Sequence, residues 1–320
     1  MTADELDPLS RLAIRHGSDK FGGHVYTPIY HRLFNHLRDR PIRLLEIGVG
    51  GYTTPEAGGS SLRMWADYFP AARIVGLDVH PKQLNISPRV TTIQGSQTNQ
   101  DQLRQVVAEH GPFDIVIDDG SHQVDHVLAS FRCLYPLLPT GGVYVVEDTQ
   151  TSFNPDLGGE VSGRGTIYDL ADGVVRAMQV AEGFHFAYGD TMGAQPYGAI
   201  TESVAQFRNI VAFTRGNNTY PSNHGLDLAN VQAQAVYRCM AEEAARNPGP
   251  RDSLSRIDMC VWAGQGEEAA RLALAAAEAW PEDVGLLADL ARMMATAGRD
   301  DLMTMLLQRV QRLRPNTASA

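Results

Sequence analysis

The chain has 320 residues, 43% of them hydrophobic, and a formal net charge of −10. That length allows one large α/β domain and a smaller companion, and the acidic balance argues against nucleic acid or an anionic membrane as partner. The cysteines, Cys133, Cys239 and Cys260, are odd in number and far apart, which excludes a disulfide framework or a zinc site as the default reading. The first residues are acidic and lack an apolar run, so no secretory signal is expected. No 18-residue apolar stretch exists, so no membrane span is expected and a cytoplasmic location is the plain expectation.

In chain order, residues 6–16 carry helical periodicity with Leu6, Leu9, Leu12 and Ile14 near one face. A glycine-rich, aromatic loop, Gly17 to Tyr30, follows and leads into a helix near Tyr30–Leu37. Its Tyr26-Thr27 pair either packs on a sheet or lines a ligand cleft. Arg43–Ile47 reads as a buried strand that breaks into Gly48, Gly50 and Gly51. Glycines at such a turn admit a ligand to the backbone. The pattern differs from Gly-x-Gly-x-x-Gly, because the next helix begins only near Ser60-Ser61.

Arg73–Asp78 is the next strand and ends in an acid, which either accepts a ribose hydroxyl or caps a helix. Val90–Gln94 gives a third strand, running into Gly95-Ser96-Gln97, and Gln100–His110 is helical. Phe113-Asp-Ile-Val-Ile-Asp-Asp-Gly-Ser-His122 is the richest stretch. Three β-branched residues mark a strand buried on both faces, ending in Asp118, Asp119 and then His122. The carboxyl end of a buried strand is where open α/β sheets bind ligands. The plainer alternative is a polar turn with a helix cap at Ser121. A helix near Val124–Tyr135 follows, and then Val143–Asp148, a strand ending in Glu147 and Asp148. Neighbouring strands would bring Asp119 and Glu147 together, and carboxylates that converge without a cation repel. A divalent ion with oxygen ligands resolves this: magnesium, calcium or manganese.

Thr149–Gly165 is a long polar loop beside these acids. A helix is predicted near Ile167–Glu182, with strands at Phe184–Tyr188 and Phe207–Thr214. The turn-rich segment Gly216–Gly225 sets a domain boundary. Beyond it, residues 226–314 read as helical, with matches at an offset of 34: Ala263-Gly264 with Ala297-Gly298, Leu272 with Leu306, Pro281 with Pro315. That is the tetratricopeptide period.

Assembled, residues 17–223 resemble the metal-dependent class I S-adenosylmethionine methyltransferases that act on macrolide sugars, as in the mycinamicin and tylosin pathways. The matching stretches are Gly17-Ser-Asp-Lys-Phe-Gly, His24-Val-Tyr-Thr-Pro, Leu45-Glu-Ile-Gly-Val-Gly-Gly-Tyr, Gly59-Ser-Ser-Leu-Arg-Met-Trp, Gly76-Leu-Asp, Phe113 to His122, Val146-Glu-Asp-Thr-Gln-Thr, Arg208-Asn-Ile-Val and Gly216-Asn-Asn-Thr-Tyr-Pro-Ser. The resemblance implies a Rossmann-like α/β domain at 1–225 with a mostly parallel seven-stranded sheet. An all-helical, tetratricopeptide-like tail at 226–320 would follow, for which that family offers no counterpart. It further implies S-adenosylmethionine and Mg2+ as cofactors, with Asp119, Glu147 and Asp148 as metal ligands and His122 as general base. Tyr26, Thr27, Glu46, Gly48, Gly50, Gly51, Ser60, Ser61, Asp78, Ser96, Gln97 and Asp118 would surround the cofactor. Family members often carry an acid where this chain has Ser96.

The reaction implied is methyl transfer to a sugar or glycoside hydroxyl whose oxygen sits on the metal, in a homo-oligomer with no nucleic-acid or membrane partner. The alternative acceptor is a catechol-like or other natural-product hydroxyl. A nicotinamide oxidoreductase fits less well, for want of the Gly-x-Gly-x-x-Gly spacing. A non-catalytic interaction protein fits poorly with intact glycines, acids and His122.

Overall fold

The computed structural model describes residues 5–179, 197–218, 249–262 and 264–313, with three isolated positions at 239, 242 and 246. The chain divides into two compact units, Met1–Pro221 and Ser222–Ala320.

The first unit is a seven-stranded sheet flanked by helices. Its strands are β1 (Arg43–Ile47), β2 (Arg73–Asp78), β3 (Val90–Gln94), β4 (Ile115–Asp118), β5 (Val143–Val146), β6 (Thr201–Phe207) and β7 (Ile210–Arg215), in the order β3-β2-β1-β4-β5-β7-β6. All neighbours pair in parallel except β7, which runs antiparallel to β5 and β6. Side-chain alternation sorts the strand residues into two cores. Leu44, Ile74, Ile115, Ile117 and Val145 face α1 (Pro8–His16), α2 (Thr27–Phe34) and α3 (Ser60–Tyr68). Leu45, Val75, Val116, Tyr144 and Val146 face α4 (Gln100–His110), α5 (Val124–Leu134) and α6 (Ile167–Ala177).

Local chemistry explains the helix ends. Asp7 caps α1 by accepting from the Leu9 and Ser10 amides, Pro8 fills the first turn, and Gly17 closes the helix in the left-handed region. Of the residues expected inward on this helix, Leu9 is buried and Ile14 points out, 56% exposed.

The predicted strand Phe207–Thr214 divides. Phe207 ends β6, Asn209 turns at φ 63°, and β7 starts at Ile210. β6 has no apolar alternation because it is an edge strand with Glu202 and Ser203 exposed. The long loop after β5 contains two short 3-10 turns, Thr149–Phe153 and Pro155–Leu157. Helix α6 ends at Ala177. The expected strand at 184–188, and most of the boundary segment from 219 on, lie outside the described residues.

Among the described residues of the second unit, every regular element is a helix: α7 (Pro250–Trp262), α8 (Gly266–Ala279), α9 (Val284–Thr296) and α10 (Asp300–Leu313). Leu287, Leu290, Met294, Cys260 and a stripe of alanines on α8 form its core. The offset of 34 holds in the elements: α7 to α9 start at 250 and 284, α8 to α10 at 266 and 300. Gly264 and Gly298 close the corresponding helices, each at φ 69°.

The β1 turn is the tightest point of the sheet edge. A Cβ on Gly48 would stand 1.9 Å from the Asp119 carbonyl oxygen, and φ is +91° there. Backbone, not a side chain, blocks it. Gly48→Ala should therefore destabilise the first unit by about 3 kcal/mol or more, read as a lowered unfolding midpoint. An unchanged midpoint would mean the β1 and β4 turns separate freely.

Candidate active site

Register builds the site. Asp118 pairs with Val146 across β4 and β5, and the Glu147 amide donates to the Asp118 carbonyl at 3.0 Å. Asp119 and Glu147 therefore leave their strands side by side, as the sequence implies. Asp119 is also tied to β1, its amide donating to the Ile47 carbonyl at 2.9 Å.

A residue unnoticed in the sequence sits among these acids. The Lys20 ammonium is 2.7 Å from Asp119 Oδ2, 2.7 and 2.8 Å from the two Glu147 oxygens and 3.3 Å from Glu46 Oε1. It is 1% exposed. Burial alone would lower its pKa, but Asp119, Glu147 and Glu46 outweigh that and raise it well above the lysine range. The expected charge problem at these strand ends is thus met in part by a lysine. A signal existed: only two of the chain's 27 basic residues are lysines, and one lies in the Gly17-Ser-Asp-Lys-Phe-Gly stretch.

The three expected metal ligands divide. Asp119, His122 and Asp148 each offer an atom within 4.8 Å of the others. His122 Nε2 lies 3.6 Å from Asp148 Oδ2 and 3.9 Å from Asp119 Oδ1. All three are partly exposed. Glu147 is buried, with both oxygens on Lys20 and Oε1 also accepting from Tyr30 at 2.5 Å. Oε1 is thus fully engaged, while Oε2 accepts from Lys20 alone and keeps one lone pair. His122 and Asp148 both adopt left-handed backbone, at φ 58° and 49°. Two partly exposed carboxylates are oxygen donors that suit a hard divalent cation.

On the loop after α1, Tyr26 donates to Asp148 Oδ1 at 2.5 Å and stacks on His24 at 4.6 Å. His24 Nδ1 lies 3.8 Å from Asp148 Oδ1, another neighbour of the site that the sequence reading left unassigned. Thr27, expected near the cofactor, is buried and bonded to Ser10 Oγ at 2.7 Å, so it ties α1 to α2.

The glycine loop lies beside the acids. Gly50 sits at φ +73° with open space where a Cβ would stand, a cradle a ligand backbone contact can use. Gly51 packs against the Ala57 carbonyl within the same loop. Glu46 is enclosed, one oxygen accepting from Ser61 at 2.9 Å and the other facing Lys20. Ser60 opens α3. Asp78 accepts from the Val49 amide at 2.9 Å and the His80 amide at 2.8 Å, which shapes the loop and leaves the carboxylate partly exposed. The Ser96 hydroxyl is within 2.9 Å of Thr98.

Two residues expected at the cofactor turn inward instead. Asp118 is buried and accepts from Ser130, from Tyr144 at 3.0 Å and from Gln97 at 3.1 Å. Burial raises its pKa despite the Ser130 and Tyr144 hydroxyls. Gln97 is buried as well, and its oxygen accepts from the Ser121 amide at 2.8 Å. The pair braces the β3 and β4 turns from beneath, with no polar atom of Asp118 left for a ligand.

Comparison with known proteins follows the same lines. The rhamnosyl O-methyltransferase/CmcI family matches residues 54–166. A Streptomyces olivaceus 8-demethyl-8-(2-methoxy-alpha-L-rhamnosyl)-tetracenomycin-C 3'-O-methyltransferase is 51% identical over 49% of this chain and 40% of its own length. The 2'-O-methyltransferase of the same organism, acting on 8-demethyl-8-alpha-L-rhamnosyl tetracenomycin-C, is 43% identical over 69% of this chain and 57% of its own. Mycinamicin VI 2''-O-methyltransferase from Micromonospora griseorubida is 45% identical over 54% and 45%. The solved structure of MycE methyltransferase in complex with Mg, SAH and mycinamycin VI superposes with a TM-score of 0.60 at 37% identity, covering 68% of this chain and 58% of that one. The chain thus spans about half the length of the curated relatives it matches. Among its described residues no helix is long and apolar enough to cross a membrane. In sheet order, motifs and family match, the Met1–Pro221 unit is similar to the S-adenosylmethionine-dependent O-methyltransferases of the rhamnosyl and macrolide-sugar type.

Proposed function

We propose that this chain transfers a methyl group from S-adenosylmethionine to a hydroxyl of a sugar or glycoside, in the presence of Mg2+. The observation that carries the reading is the convergence of Asp119, His122 and Asp148 on one sheet edge beside an open glycine loop. The relatives' named acceptors, rhamnosyl tetracenomycin C and mycinamicin VI, support a deoxysugar glycoside over a catechol.

Asp119 and Asp148 would hold the ion, with Glu147 able to join through Oε2, whose one contact is to Lys20. Bound there, Mg2+ supplies positive charge beside the acceptor hydroxyl and stabilises the negative charge that develops on it. The loop from Gly48 to Ser61, with Asp78 behind it, would bind the donor and fix its methyl in line. Gln97 and Asp118 support that loop's neighbour from inside. His122 Nε2 would take the acceptor proton, since its ring is partly exposed and lies 3.6 Å from Asp148 and 3.9 Å from Asp119, beside the proposed ion. A second reading, His122 as a metal ligand, has the same cluster in its favour. The second unit is proposed as a pair of tetratricopeptide-type hairpins, on its repeated 34-residue offset. Self-association of the chain is proposed too and is checked by light scattering.

Methyl transfer to glycosylated natural products, followed by mass spectrometry, tests the reading. Exhaustive chelation should abolish transfer and Mg2+ restore it; full activity in chelator removes the ion from the reaction. His122→Ala should cut turnover about 100-fold or more with Mg2+ affinity intact, and the residual rate should rise with pH. Weakened Mg2+ affinity, with rescue by excess Mg2+, would instead make His122 a ligand.

Tyr26 offers a separate check. Burial opposes ionisation of Asp148, but hydrogen bonds from Tyr26 and Gln150 and the His122 and His24 rings outweigh it, so its pKa lies below the usual range. A depressed carboxylate contributes stability that is present above the unfolded value, about 3.9, and is lost as pH falls through the folded value. Tyr26→Phe in chelator should therefore cost about 1–2 kcal/mol at neutral pH, and the difference should shrink as Asp148 is protonated in acid. Denaturant midpoints at both pH values check it. An equal difference at both would show that packing, not charge, makes the contact.

A further inference from the structure

We propose that Lys20 is a positioning residue that acts as a second, tethered cation of the site and thereby limits it to a single divalent ion; the inference rests on the reading that Asp119, His122 and Asp148 hold that ion. Its ammonium fills a cage of four carboxylate oxygens from three residues, Glu46, Asp119 and Glu147, at 2.7 to 3.3 Å. Those donors are oxygen only, the kind a hard divalent cation takes. Glu46 Oε1 is buried and makes no hydrogen bond, so the Lys20 charge is what faces it.

Asp119 shows the consequence most directly. Its Oδ2 is held by Lys20, while Oδ1 is turned toward His122. A carboxylate with one oxygen for each of two cations is the bridging element of a two-metal site. Here one of the two cations is covalently part of the chain. Its compact, strongly hydrated charge suits the cage in a way a planar guanidinium does not, which fits a lysine at this place in an arginine-rich chain. Ionised together, Glu46, Asp119, Glu147 and Asp148 would carry four negative charges. One ammonium and one divalent ion nearly balance them, and loss of the ammonium leaves both a charge deficit and an oxygen cage.

The test counts ions on the full chain, with Mn2+ as the probe in calorimetry and electron paramagnetic resonance. Wild type should take about one Mn2+, Lys20→Met about two with the broadened signal of coupled ions, and Lys20→Met/Glu147→Gln about one again. A folded Lys20→Met that takes one ion at wild-type affinity overturns the proposal. If Lys20→Met does not fold in chelator, the proposal requires that Mn2+ refold it, read by circular dichroism. A variant that stays unfolded in millimolar Mn2+ overturns the proposal as well. Wild type that takes no Mn2+ fails differently, because it removes the metal reading of Asp119, His122 and Asp148 on which the proposal stands.

Discussion

The contact between the Lys20 ammonium and the carboxylates of Asp119 and Glu147 is the constraint on which the sheet edge depends. A buried ion pair adds little net stability when whole, but removing one partner strands a charge at a cost of about 3–5 kcal/mol. The loop after α1 and the ends of β4 and β5 are therefore obliged to form together, although about a hundred residues of chain separate them. Tyr26 and Tyr30 come with the same segment and bind Asp148 and Glu147. The segment before the first strand is thus the wall that completes the acidic edge.

Much of the first unit was legible because buried parallel strands are short, β-branched and cleanly ended. Ile115-Val-Ile and Val143-Tyr-Val-Val announce themselves, and the acids after them mark the ligand edge. The edge strand β6 lacked that signature, since Glu202, Ser203 and Gln206 face solvent. Lys20 was hidden by distance along the chain: no local pattern says which loop will reach a strand end. Asp118 was readable and misread. It shares the parity of Val116, and that parity faces α5, where Ser130 on the helix and Tyr144 on the neighbouring β5 meet it; Asp119 is the first residue past the strand and escapes the alternation. Two adjacent acids thus have opposite fates for a geometric reason.

The second unit obeys a different rule. Its helices bury mainly Ala and Leu, residues that carry little positional information one by one. The 34-residue offset is clearer in the element boundaries than in the sequence, because Gly264 and Gly298 mark the two turns while Ala and Leu recur throughout the helices between them.

His122 and Asp148 share a backbone conformation that side chains avoid. A left-handed residue with a Cβ costs about 1–2 kcal/mol relative to its ordinary region, and glycine is exempt. Conformational energy alone would therefore favour glycine at both positions. At Asp148 the hydrogen bond from Tyr26 offsets that cost; the His122 ring, 3.6 Å from Asp148 and 3.9 Å from Asp119, makes no hydrogen bond to either that would do the same. The chain maintains these two residues face to face at its acidic sheet edge, 3.6 Å apart. Drift toward greater thermal stability would therefore erode His122 before Asp148, and a thermostable descendant with glycine at 122 would keep its sheet and its acids while losing the imidazole between them.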